Sequence, residues 1–223
     1  MLALSALSDL SVEVNIVHDG PLDISSRWDR YLSNNLARNC KVIVIDTSGN
    51  LSSFYKTLDL ATQKTPEAAI LLAEDDYLWL PSSVSSMMKA LRELPGHYVT
   101  GYDHPDRYSA FNRFGADLPH YHHQIHIAGR RHWRAVESTC MTFLTTVGSL
   151  LEDLTVLKQS HWENARPDSR SFFRAVQQLS GVKDIGRRRL LLAAMPALCT
   201  HCQLPYLAHL IDWTSYASRI TLP

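Results

Sequence analysis

The sequence has no excess of either charge: lysine plus arginine and aspartate plus glutamate stand at 22 each. No global field therefore draws it to nucleic acid or an anionic membrane, and such a partner would have to be met by a local patch. The richest basic patches are Arg130-Arg131 with Arg134, and Arg187-Arg188-Arg189, and runs of this kind are ordinarily solvated faces. Long apolar runs are missing as well. The longest, Leu190 to Cys199, is interrupted by Pro196 and is far too short to span a bilayer. Met1 to Leu10 lacks both a basic n-region and a small-residue cleavage site, which does not fit a secretory signal. A cytoplasmic location is the expectation, with Cys40, Cys140, Cys199 and Cys202 as reduced thiols. Internal repeats and low-complexity segments are also absent. What is present, 45% hydrophobic and 20% charged residues in 223, suits one globular domain spanning 1–223 that buries its core without disulfides or a structural metal.

The first part of the chain alternates two periods. Val12, Val14 and Ile16 alternate with Glu13 and Asn15 before His18-Asp19-Gly20-Pro21, which predicts a strand and a turn. Trp28, Tyr31, Leu32, Asn35 and Leu36 follow at helical spacing. Val42-Ile43-Val44-Ile45, β-branched and without polar alternation, predicts a parallel strand covered on both faces and ends in Asp46-Thr47-Ser48-Gly49-Asn50. Leu51, Phe54, Tyr55 and Leu58 give the next helical stripe, and Ala69 to Ala73 a second buried strand ending in Glu74-Asp75-Asp76. After Pro81, Ser82 or Ser83 caps a helix whose face carries Val84, Met87, Met88, Leu91 and Leu94. The order predicts an α/β fold with a mostly parallel central sheet flanked by helices.

Residues 97–136, rich in His, Tyr, Arg and Pro, predict strands and long loops across one end of that sheet. Cys140 to Thr145 is strand-like and leads into Val147, Leu150, Leu151, Leu154 and Leu157 at helical spacing. A helix begins at Asp168 and buries Phe172, Phe173, Val176 and Leu179. A last strand, Leu190 to Ala194, runs toward Cys199-Thr200-His201-Cys202. The chain thus divides into halves at about residue 96, the second supplying a smaller strand and loop region.

In open parallel sheets ligands collect at the carboxyl ends of strands. Asp46 ends one buried strand and Glu74-Asp75-Asp76 ends the next. Three adjacent carboxylates leaving an apolar run repel one another, and a divalent cation with oxygen ligands, Mg²⁺ or Mn²⁺, answers that repulsion while binding substrate phosphates. The bland alternative is that the trio caps the following turn or faces water.

These segments, 42–49 and 70–77 with Pro81 shortly after, resemble the two nucleotide-sugar-binding signatures of GT-A glycosyltransferases, family 2 in particular. The resemblance implies a GT-A (Rossmann-like) domain, with residues up to about 96 binding a nucleotide-diphosphate sugar and the rest shaping the acceptor side. It matches Asp46 to the acid that contacts nucleobase or ribose, and Glu74 and Asp76 to the two ends of the Asp-x-Asp metal motif, with Glu in the first position. Asp75, in the middle, is matched to a ribose contact. Asp168, at the head of a helix, falls on the acidic general base of an inverting transfer, with Glu137 and Glu163 in reserve, and His201 falls on a further metal ligand after the last strand. The acceptor could be a glycan, lipid, protein, small molecule or modified nucleic acid.

Other chemistries use some of the same residues. Cys199-x-x-Cys202, with His120, His122, His123 and His126 crowding one loop, would suit a zinc or redox protein, although no second cysteine pair stands at finger spacing. A nucleotidyltransferase would carry a Gly-rich, basic loop after its first strand, for which His18-Asp19-Gly20-Pro21 is a poor substitute. A non-catalytic sugar- or nucleotide-binding module would keep only the fold. His132, Trp133 and Arg134 are candidate acceptor or phosphate contacts.

Overall fold

A computed structural model of the chain describes residues 12–23, 25, 40–46, 49–108, 124–161, 166–178 and 189–220. Strands β1 (Val14–Asp19) and β2 (Cys40–Ile45) pair in parallel over their full length. Helix α1 (Asn50–Ala61) follows, then β3 (Ala69–Leu72), β4 (Tyr77–Trp79), α2 (Ser83–Glu93) and β5 (Tyr98–Thr100). Next come β6 (Ile125–Ala128), β7 (Arg131–Ala135), β8 (Phe143–Thr146), α3 (Val147–Gln159), α4 (Ser169–Val176), β9 (Leu191–Met195), β10 (Cys199–His201) and α5 (Trp213–Ser218).

The main sheet has six strands in the order β3-β8-β5-β9-β7-β6. The α/β class expected from the alternating periods is present, but the mostly parallel sheet is not. Only β5 and β9 run parallel within it, and the other four pairings are antiparallel. The physical reason is that an apolar run reports burial on both faces and says nothing of strand direction. Ala69–Leu72 is such a run, and its partner is β8, far along the chain. Among the described residues β1 and β2 pair only with each other.

Period-two alternation along the central strands builds two cores, one on each face. Val99, Leu144, Leu192 and Ala194 point to one side, where α2 contributes Met87 and Ala90 and α5 contributes Trp213. Tyr98, Phe143, Leu191 and Ala193 point to the other, against Leu58 of α1, Leu150 and Leu157 of α3, and Phe172 and Phe173 of α4. The helical stripes expected at 51–58, 84–94, 147–157 and 172–176 thus find their partners, except that Leu151 of the third is exposed. Leu179 and the stripe from Trp28 to Leu36 lie outside the described residues. β8 starts three residues later than its apolar pattern, because Cys140 to Thr142 form the loop that enters it.

A smaller ribbon sets up the site. β4 and β10 pair antiparallel, with Tyr77 opposite His201, and Tyr102 bridges Cys199 just beyond β5. Gly101 makes this close passage possible: a Cβ there would lie 3.1 Å from both Cys199 Sγ and Leu198 Cβ. The end of β5, the acidic segment before β4 and the end of β10 are thereby drawn together.

Candidate functional site

The acidic segment leaves β3 at Ala73 and enters β4 at Tyr77. Antiparallel pairing with β10 carries His201 to Asp76, so that His201 Nε2 lies 3.0 Å from Asp76 Oδ2, and the Cys202 amide donates to the Asp76 carbonyl at 2.8 Å. Residues far apart in sequence meet here because two short strands are in register. The Gln203 amide approaches His201 Nδ1 at 3.3 Å, so Nδ1 accepts and Nε2 donates to the carboxylate. The second oxygen, Asp76 Oδ1, is buried without a hydrogen-bond partner.

Glu74 turns the other way. Its Oε2 accepts from Thr142 Oγ1 at 3.2 Å and its amide donates to the same hydroxyl oxygen at 3.1 Å. Glu74 as a residue is exposed, but desolvation of its carboxyl among neighbouring atoms, followed by the Asp76 and Asp75 charges, pushes it up to about 7 against the pull of the Thr142 hydrogen bond. Of the three expected ligands, then, Asp76 and His201 meet, whereas Glu74 is turned onto Thr142. Among the described residues, no three His, Cys, Asp or Glu side chains are arranged to hold a metal ion. Asp75 is exposed. Asp46 is also exposed, at the end of the β1–β2 pair, while Asp19 is the acid that binds the following loop, accepting from the Gly49 amide at 2.7 Å.

A second set of charged groups follows β5, where Asp103-His104-Pro105-Asp106-Arg107-Tyr108 leaves the sheet. Asp103 is buried and accepts from Arg134 Nη2 of β7 at 2.6 Å and from the Tyr108 hydroxyl, with the Arg134 guanidinium 5.5 Å from the Tyr108 ring centre. Arg107 donates to the Ser138 carbonyl. His104 Nδ1 lies 2.7 Å from Asp106 Oδ1. Glu137 is buried and held by Arg174 at 2.9 Å and Arg170 at 3.6 Å.

Rings connect the two sets. His201 packs on Tyr77 at 5.3 Å, Tyr77 on Tyr102 at 5.4 Å, and Tyr102 on His104 at 5.2 Å. Tyr206 closes the circuit, 5.8 Å from His104 and 5.7 Å from His201. Two histidine–aspartate pairs thus stand one ring apart around Tyr206. The sequence reading missed His104, Asp106 and Tyr206. The signal that could have found them was position, since this segment leaves the carboxyl end of a buried strand just as the acidic segment does.

Asp168 is placed elsewhere in the fold's economy, as the N-cap of α4. Its Oδ1 accepts from the Ser171 amide at 3.1 Å and its Oδ2 from the Ser171 hydroxyl at 2.5 Å, with only 7% of the residue exposed. A base role would require it to release these bonds. Asp168→Ala should lower the unfolding free energy by about 1 kcal/mol, while Asp168→Asn, which can still accept from the Ser171 amide, should stay within about 0.5 kcal/mol of the parent. Urea unfolding of the two variants measures both, and equal losses would contradict the capping account. Glu163 lies outside the described residues.

The basic patches are solvated only in part, with Arg130 exposed. Arg134 reaches in to Asp103, Arg131 donates to the Pro196 carbonyl, and Arg189 is one of the most buried charges among the described residues. Arg187 and Arg188 lie outside the described residues, as do His120, His122 and His123. Cys199 is fully buried whereas Cys202 is exposed, so the two thiols face different environments. Burial raises the thiol of Cys199 well above its ordinary value and pushes that of Cys140 up to about 11, leaving both as inert side chains near neutral pH.

Among the described residues no helix is long and apolar enough to cross a membrane. Comparison of the chain with family models, with curated proteins and with solved structures finds no match.

Proposed function

We propose that the chain is a GT-A type glycosyltransferase, similar to family 2, that works in the cytoplasm. It would take a sugar from a nucleotide-diphosphate donor at the 74–76 segment, with Mn²⁺ or Mg²⁺, and pass it to an acceptor hydroxyl. The observation that carries this reading is the approach of His201 Nε2 to Asp76 Oδ2 at 3.0 Å, since the resemblance that matched each of them separately to a metal ligand requires that they meet.

Two features favour a divalent cation, although among the described residues only two side chains of the expected set meet. Asp76 Oδ1 is a buried acceptor with no donor, and three consecutive carboxylates crowd the same turn. Asp76 and His201 would hold the ion once Nε2 gives up the proton it shares with Asp76; donor phosphates and water commonly complete such a shell. A cation there supplies positive charge that stabilises the departing diphosphate. The protein's own part is to bind and orient: exposed Asp75 and Asp46 are available to ribose and base hydroxyl or amino donors, and the contacts of buried Asp103 with Arg134 and Tyr108 fix the loop after β5.

A scan of nucleotide sugars for thermal stabilisation, with and without Mn²⁺, tests this directly. One base class should raise the melting temperature only when Mn²⁺ is present, by mass action on the native state. Stabilisation by none of them, or equal stabilisation in a chelator, would contradict the reading. Glycans, lipids, proteins, small molecules and modified nucleic acids are then screened as acceptors with the donor so found.

A further inference from the structure

The His104–Asp106 pair remains without a role in the donor site. At 2.7 Å between Nδ1 and Oδ1, two lone pairs would repel, so a proton lies between them and Nδ1 carries it. The Asp106 amide also approaches Nδ1, at 3.2 Å. One ring nitrogen cannot both donate and accept, and the shorter, charge-assisted contact sets the tautomer. Burial works to raise the Asp106 carboxyl, but the His104 hydrogen bond and the charges of His104, Arg107 and Arg170 outweigh it and hold the carboxyl below its usual range. Asp106 is thus an ionised orienting group, and His104 Nε2 is left as a basic nitrogen that makes no hydrogen bond among the described residues.

Location gives this nitrogen its use. His104 shares Tyr206 with His201, the partner of Asp76. An open depression of about 470 Å³ is lined by Pro105, the residue after His104, by Leu204, Pro205 and Leu207 on either side of Tyr206, and by 208–211 with His209 among them, which gives an acceptor room next to these two residues in the chain. We propose that His104 is the general base of the transfer, deprotonating the acceptor hydroxyl through Nε2, and that Asp106 is its positioning residue. The proposal rests on the transferase reading above.

The step balances without a further reactant. The acceptor O–H proton passes to His104 Nε2 as the acceptor oxygen bonds to the anomeric carbon; the bond from that carbon to the diphosphate oxygen breaks, and its electron pair leaves on the nucleoside diphosphate. Attack from the face opposite the leaving group inverts the configuration, with no glycosyl-enzyme intermediate.

Two measurements on the full chain test it. In the first, ¹⁵N-histidine NMR should show His104 with Nδ1 protonated and Nε2 free, and Asp106→Asn should shift that tautomer; an Nε2-protonated His104 in the parent would overturn the proposal whatever the protein's activity. In the second, His104→Gln should lower kcat for transfer by roughly 10²- to 10⁴-fold with the KM for donor and Mn²⁺-dependent donor binding unchanged, and added imidazole should restore part of the rate to His104→Ala. Asp106→Asn should lower kcat less than His104→Gln while sparing the same KM. A parent that transfers sugar alongside a His104→Gln variant within about threefold of it, or with the loss appearing in Asp168→Asn instead, would overturn the base assignment alone. A parent that binds no nucleotide sugar would remove the transferase reading and the base role with it.

Discussion

Arg189→Met should lower the unfolding free energy by roughly 3–5 kcal/mol, the usual loss when one partner of a buried ion pair is removed. Arg189 Nε donates to Asp153 Oδ2 at 2.8 Å with the two side chains 5% and 7% exposed, and its Nη2 reaches Glu152 of the same helix, α3, at 2.6 Å. Asp153 Oδ2 also accepts from the Tyr98 hydroxyl at 2.5 Å. Burial, reinforced by Asp153, holds that hydroxyl far above its ordinary pKa, so it stays a donor. The variant would leave a buried carboxylate with this single neutral donor. Tyr98 sits among Phe143, Phe172 and Phe173 at 5.5–5.7 Å, so the damage is felt where β5, β8, α3 and α4 converge. For a chain of this size the melting temperature should fall on the order of 10 °C. Arg189→Met combined with Asp153→Leu removes both charges and should recover most of the loss. A single variant within about 1 kcal/mol of the parent in urea unfolding would contradict the account of this network.

The largest effect on function is expected at Asp76. Asp76→Asn keeps the shape and the contact with His201 but takes away the negative charge that a divalent cation requires, so transfer should fall by at least about 10³-fold, as when a preorganised group that stabilises developing charge is lost. The fall should appear in kcat/KM and in Mn²⁺-dependent donor binding together. Because Asp76 is a turn residue with its side chain 43% exposed, circular dichroism and the unfolding midpoint should change little. An Asp76→Asn enzyme with a tenth or more of the parent's transfer rate would contradict the cation site.

How far the sequence foretold these features depends on whether local pattern carries the information. Met87 of α2 and Phe172 and Phe173 of α4 follow from periodicity, the strand at Leu191 to Ala194 follows from its apolar run, and each is buried in the fold. Strand direction does not follow, because Ile70-Leu71-Leu72 reads the same whether its neighbour is parallel or, as it is, the antiparallel β8. Arg189 could not be told from a solvated arginine, since its burial depends on Asp153 and Tyr98, which lie in other elements. The approach of Asp76 and His201 was anticipated through resemblance alone; its physical cause, the register of β4 on β10, is a pairing of two three-residue strands too short to show a pattern. His104 and Asp106 are adjacent enough to see in the sequence, but their relation to the acidic segment runs through Tyr102, Tyr77 and Tyr206, contacts that only the folded chain makes.

The central claim is that Asp76 and His201 together hold a divalent cation for a nucleotide donor. Calorimetric titration of Mn²⁺ in the presence of saturating nucleoside diphosphate, into the parent, His201→Ala and Cys202→Ser, tests it most directly. The account predicts one Mn²⁺ per chain in the parent, affinity at least about tenfold weaker in His201→Ala, and parental affinity in Cys202→Ser. Parental Mn²⁺ affinity in His201→Ala, or loss of binding in Cys202→Ser with zinc preferred to Mn²⁺, would contradict it.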